Sequence, residues 1–139
     1  MSGAVKLDER GLPLGYPLKA EYEMTPREAR ELLQAGKLVL VDVRTPEEWE
    51  LVHVPGSVLL TLARVEKDFD EIEVPAGAVV ATLCHHGVRS MKAALALRAS
   101  GRAELAKVKS VAGGIELWSL AADASVRRYE RGPGVLRLV

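Results

Sequence analysis

The 139-residue chain has one cysteine, Cys84. That excludes an intramolecular disulfide. It also excludes a CxxC redox pair, which needs a second thiol to resolve it. Net charge is missing too, since nineteen Lys and Arg balance nineteen Asp and Glu. A balanced chain offers no general attraction to nucleic acid or to an anionic membrane. No apolar run is long enough to span a bilayer. The opening stretch, MSGAVKLDERGLPLG, carries charge early and has no apolar signal core. These absences point to the cytoplasm, with no nucleic-acid or membrane partner. Internal repeats, low-complexity tracts and a second domain are also not found. What is present is an ordinary globular composition, 48% hydrophobic and 27% charged, over a length that suits one domain.

Residues 1–23 read as an irregular lead-in, punctuated by Gly11, Pro13, Gly15 and Pro17. Within it, LKAEY is a candidate edge strand. Residues 24–123 alternate helical and strand patterns. TPREARELLQAG opens with Thr25 as an N-cap, Pro26 at the first helical position and Glu28 completing a capping box. Gly36 stops that helix. KLVLVDV is a continuous aliphatic run, as expected of a parallel strand buried on both faces. Thr45, Pro46 and Glu48 repeat the capping pattern and predict a short helix, which Pro55 and Gly56 close with a turn. SVLLTL is a short strand. Leu62, Val65, Phe69 and Ile72 follow helical spacing. A strand (VVATL), a helix (RSMKAALALRASG), a strand (KVKSV), a Gly-Gly turn and a last helix complete the domain. The tail, residues 124–139, is open between a final strand, an interface arm and disorder. The alternation argues for an α/β domain with a mostly parallel central sheet and helices on both faces.

On composition alone, a lone cysteine is more often a small buried hydrophobe than a nucleophile. The context of Cys84 reverses that reading. In an open parallel sheet, ligands bind beyond the carboxyl ends of the strands, and Cys84 follows such a strand. A helix beginning near Ser90 directs its unpaired N–H groups and partial positive charge at the loop. Gly87 lets the backbone curl so that several amides face one anion. His85, His86 and Arg89 can add positive charge. A thiolate is favoured in such surroundings and acts as a nucleophile.

CHHGVRS, residues 84–90, resembles the active-site pattern of the rhodanese family: Cys, two variable residues, Gly, one variable residue, Arg and Ser. Upstream, Asp42, Val43, Arg44, Glu48, Trp49, His53, Val54, Pro55 and Gly56 are similar to its DVR, E-[FYW] and H-[IV]-P-G elements. Downstream, Gly113, Gly114 and Trp118 resemble its closing Gly-Gly…Trp motif. Val52 stands in place of the usual glycine and Ser57 in place of the usual alanine; both lie away from the cysteine loop. The resemblance covers roughly residues 24–123. It implies a three-layer α/β/α fold around a mostly parallel five-stranded sheet. It also implies a single-domain sulfurtransferase. Cys84 would take sulfane sulfur from a small donor such as thiosulfate and pass it to cyanide or a thiol through a persulfide. The loop from His85 through Gly87, Val88 and Arg89 to Ser90 would bind the substrate, and no metal or organic cofactor is needed.

Asp42, Arg44 and Glu48 are expected to be structural ion-pairing residues near the site. Arg89 either contacts substrate or pairs with Asp42 or Glu48. His53 is expected to be structural, and Trp49 and Trp118 to be core or core-edge aromatics. Cys84, His85 and His86 do not make a metal site, because adjacent residues seldom converge on one ion. Cysteine phosphatases and arsenate reductases also use a Cys-loop-Arg, but with five intervening residues; HHGV provides four, a tighter cradle. A non-enzymatic binding module, and a sulfur carrier between protein donor and acceptor, remain the alternatives.

Overall fold

A computed structural model describes residues 5–139. Five parallel strands form the central sheet: β1 (Glu23–Met24), β2 (Leu38–Asp42), β3 (Val58–Leu59), β4 (Val79–Leu83) and β5 (Lys109–Val111), in the order β1-β5-β4-β2-β3. β2 and β4 are paired along their whole length, from Leu38 opposite Val79 to Asp42 opposite Leu83. The edge strand β1 starts after LKAEY rather than within it. Residues 19–23 are drawn into a turn by the Tyr22 and Glu23 amides, which both donate to the Lys19 carbonyl. Both edge strands are two residues long, which limits the unpaired backbone the sheet presents.

Helix α1 (Pro26–Gln34) and helix α2 (Pro46–Leu51) both carry complete capping boxes, from Thr25 with Glu28 and Thr45 with Glu48. The segment after β3 winds into α3 (Val65–Asp68) and a single 3₁₀ turn at Phe69–Glu71. Helices α4 (Val88–Ala99) and α5 (Gly114–Ala121) follow β4 and β5.

Strand alternation divides the core. Leu38, Leu40, Ala81 and Leu83 face α1 and α5, packing with Ala29, Ile115 and Trp118. Val41 and Val80 point the other way, against Ala93, Ala94 and Leu97 of α4 and Val65 and Phe69 of α3. Side chains two apart on a strand share a face, so the continuous apolar runs of β2 and β4 supply both layers. The result is the expected α/β/α sandwich.

The tail forms an antiparallel hairpin, β6 (Tyr129–Gly132) and β7 (Val135–Leu138), separate from the central sheet. Val126 and Tyr129 are buried in the first core, so the hairpin is anchored to the domain. The lead-in is anchored too. Leu12 is fully buried against Ala112 and Leu117.

Candidate active site

β2 and β4 lie side by side and end together, at Asp42 and Leu83. The residues just beyond those ends are therefore neighbours. They are Arg44 and the α2 segment on one side, and the cysteine loop on the other.

Cys84 leaves β4 with 1% of its surface exposed. The Gly87 amide donates to its Sγ at 3.1 Å, and Ser90 Oγ lies 3.3 Å from the sulfur. Ser90 Oγ is also 2.7 Å from Ser110 Oγ on β5, and Thr82 Oγ1 donates to the Ser90 carbonyl at 2.7 Å. A hydroxyl rotor can reverse its direction. While the sulfur is a thiol it donates to Ser90; once it is an anion, Ser110 can donate to Ser90 and Ser90 to sulfur. The loop closes onto α4 through Gly87, the residue that caps the helix, at φ 105°. That left-handed conformation is open to glycine and strained for other residues.

The loop is held from behind by α5. Ile115 N donates to the Cys84 carbonyl at 2.8 Å and Glu116 N to the His85 carbonyl at 3.1 Å. The first amides of a helix have no partner within it, and here they take the loop carbonyls. Those carbonyls are thereby turned toward α5, while the Gly87 amide faces the sulfur. The approach is close. A Cβ on Gly114 would stand 2.4 Å from the His85 oxygen and 2.5 Å from the Cys84 oxygen. The Gly-Gly turn read from the sequence thus has a second duty, as the surface on which the cysteine loop rests.

A fully buried ion pair and a half-buried one flank the loop. Asp42 takes Arg44, with Nε donating to Oδ1 at 2.9 Å and Nη2 to Oδ2 at 2.7 Å. Glu48 takes Arg89 in a two-point pair at 2.7 and 2.9 Å. So the partner of Arg89 is Glu48, and its guanidinium is turned to that carboxylate. Burial alone would raise the Glu48 carboxyl. Hydrogen bonds from Arg89 and Tyr129 outweigh burial and hold it well below the usual carboxylate range. Arg131 of the hairpin approaches the same carboxylate at 3.6 Å.

The two histidines separate. His86 is exposed. His85 is 7% exposed, its ring stacked on Tyr129 at 4.0 Å between centroids. Burial and the neighbouring His86 push the His85 imidazole down to about 4. At neutral pH it is uncharged, which corrects the expectation that both histidines supply positive charge. Val88 points its side chain to solvent. Trp118 is core, while Trp49 stacks on exposed His53 at 3.8 Å, outside the sulfur site. Among the described residues, no group of three or more His, Cys, Asp or Glu could hold a metal ion. No helix among them is long and apolar enough to cross a membrane.

Tyr129 was not expected at the site. The tail carries one local sign of its hairpin, Gly132-Pro133-Gly134 between two alternating stretches. Nothing local indicates that the hairpin folds back onto His85.

The model of the rhodanese-like domain family matches residues 25–121. Over 107 residues the chain is 34% identical to the probable adenylyltransferase/sulfurtransferase MoeZ of Mycobacterium tuberculosis, covering 76% of this chain and 26% of that protein. The chain thus spans about a quarter of that relative's length. It is 37% identical over 98 residues to the thiosulfate sulfurtransferase GlpE of Pseudomonas syringae pv. syringae, covering 70% of this chain and 88% of GlpE. The solved structure of the human single domain sulfurtransferase TSTD1 superposes with a TM-score of 0.59 at 23% identity, covering 69% of this chain and 93% of that one. That last likeness is one of fold. Sheet order, cysteine loop and the match across residues 25–121 agree, and the chain belongs to the rhodanese-like domain family.

Proposed function

We propose that this protein is a rhodanese-type sulfurtransferase that moves sulfane sulfur through a persulfide on Cys84. The observation that carries the proposal is the setting of Cys84 Sγ, 3.1 Å from the Gly87 amide at the head of α4. A relative named thiosulfate sulfurtransferase, matched over most of its length, supports the same reading. The Cys84 thiolate attacks the outer sulfur of a donor such as thiosulfate. A sulfur–sulfur bond forms at Cys84 as the donor's own breaks, and sulfite leaves with the electron pair. An acceptor, cyanide or a thiol, then attacks the outer persulfide sulfur and the Cys84 thiolate is restored. This is covalent catalysis in two halves. The loop amides and the N-terminus of α4 bind the negative charge of both anionic states. The exposed His86 and the amides of residues 87–90 form the donor rim. A sulfur so deeply seated admits the narrow end of a sulfane donor more readily than a tetrahedral phosphoryl group. A reducing compartment such as the cytoplasm suits a working lone thiol.

A sulfur-carrier role is the second reading. It is favoured by the similarity to MoeZ, whose name joins an adenylyltransferase to a sulfurtransferase and of which this domain spans only part. Here a protein, rather than a small molecule, donates or accepts the sulfur.

Mass spectrometry after thiosulfate treatment tests the core of both. Cys84 should gain the mass of one sulfur atom and lose it on adding cyanide, and Cys84→Ser should fold but neither gain sulfur nor turn over. Turnover retained in Cys84→Ser would end the mechanism. A persulfide with poor thiosulfate:cyanide turnover would favour the carrier role.

A further inference from the structure

The C-terminal hairpin lies beyond the segment matched to the family, residues 25–121, yet its Tyr129 reaches the cysteine loop. Tyr129 is 3% exposed and touches three parts of the site. Its hydroxyl donates to Glu48 Oε2 and accepts from Arg44 Nη1 at 3.1 Å. It therefore joins the Asp42–Arg44 pair to the Glu48–Arg89 pair. Its ring stacks on His85 with the planes 12° apart. Its backbone carbonyl lies 3.1 Å from His85 Nε2. A carbonyl only accepts, so Nε2 carries the proton and neutral His85 is held in one tautomer.

We propose that Tyr129 is a positioning residue of the sulfur-transfer site. It locks the first residue after Cys84, and through Glu48 it locks Arg89 at the other end of the loop. The loop has only four residues between Cys84 and Arg89. Both ends are tied to one tyrosine, by the His85 stack and by the Glu48 carboxylate. The Gly87 amide that faces sulfur is thereby held in register without Tyr129 touching the substrate. The groups facing His85 are His86 on the loop, Glu48 on α2, Glu116 on α5 and Tyr129 on β6. Glu116 is itself paired with Arg128. Burial is the main cause of the low His85 value, and the stacked Tyr129 ring covers one face of the imidazole.

Two substitutions in the full chain separate the contacts. Tyr129→Phe removes the hydroxyl and keeps the ring. Tyr129→Leu removes the stack as well. Histidine NMR titration should place His85 near 4 in the parent and in Tyr129→Phe. In Tyr129→Leu it should rise toward the ordinary value of about 6.5. Thiosulfate kcat/KM should fall about tenfold in Tyr129→Phe and further in Tyr129→Leu, mostly in kcat, since misplaced amides weaken the transition state more than donor binding. A tyrosine that only adds stability would change neither the titration nor the split between kcat and KM in protein shown to be folded. Parent-like titration and kcat in folded Tyr129→Leu would overturn the proposal. If Tyr129→Leu does not fold, a Tyr129→Phe kcat/KM within twofold of the parent overturns it alone. The kinetic readout rests on the sulfur-transfer reading, whereas the His85 titration does not. A parent that forms no Cys84 persulfide therefore defeats that reading and leaves the titration to decide the role of Tyr129.

Discussion

Gly114 shows how much one residue can hold at this site. Its φ is 64°, and the space a side chain would need is taken by two loop carbonyls at about 2.5 Å. Gly36 has a similar φ of 71° but open space around it. Gly36→Ala should therefore cost only the left-handed strain, about 1–2 kcal/mol. Gly114→Ala should cost that plus a forced backbone shift, more than about 3 kcal/mol in all. It should also lower sulfur transfer in whatever protein remains folded, because the loop rests on α5. Denaturation midpoints of the two variants check this, and equal losses would show that the close approach does not matter. His85 supports a second expectation. Being uncharged at neutral pH, it cannot shape how thiosulfate KM varies between pH 6 and 8. His85→Gln should leave the form of that dependence unchanged even if its level shifts. The adjacent pair looked equivalent in the sequence. Burial under Tyr129 separated them, and burial by a residue 44 positions away leaves no local trace.

At the scale of elements, the short cysteine loop and its helix act together. Gly87 both caps α4 and donates to Cys84 Sγ. One glycine inserted after Gly87 would separate those duties, moving the helix N-terminus away from the sulfur and widening the nest. Thiosulfate turnover should drop at least about tenfold, the scale expected when one preorganised donor is lost. An insertion variant that folds and turns over like the parent would show that loop size is not the determinant. Helix α2 is the matching element on the other side. Its capping box uses Glu48 twice. One carboxylate oxygen accepts from Thr45 N at 3.2 Å and from Arg89 at 2.7 Å, so a helix cap and an active-site ion pair share one side chain. Thr45→Ala should cost about 1 kcal/mol as a lost cap.

For the whole molecule, acid stability follows from two buried groups. His85 titrates near 4 when folded, against an ordinary 6.5. Between those values the unfolded chain takes up a proton that the folded protein refuses, so stability falls as pH drops from about 6.5 to about 4. Glu48 acts lower on the scale. Its folded value lies well below 4.5, so its stabilisation is complete above 4.5 and is lost as pH falls below it. The two losses run in the same direction and in succession. Denaturant midpoints should be level from pH 8 to 7 and then decline in two stages. His85→Gln should flatten the first stage and leave the second. An unchanged slope between pH 6.5 and 4.5 in that variant would refute the assignment.

The sequence by itself determined most of the elements and the spacing of the cysteine loop. Caps at Thr25 and Thr45, the doubly buried strands, and the Cys-x-x-Gly-x-Arg spacing are decided within a few residues, by hydrogen bonds and periodicities that a linear reading can see. It left Arg89 between substrate contact and a pair with either of two carboxylates. Tertiary structure alone chose between them, because Asp42 is already saturated by Arg44 two residues away while Glu48 faces the loop from α2. Tertiary structure alone also turned an ambiguous tail into a hairpin and set Tyr129 against His85. Those contacts come from how distant segments pack to bury apolar surface and pair buried charge, and such long-range packing is not encoded in any short stretch of the chain.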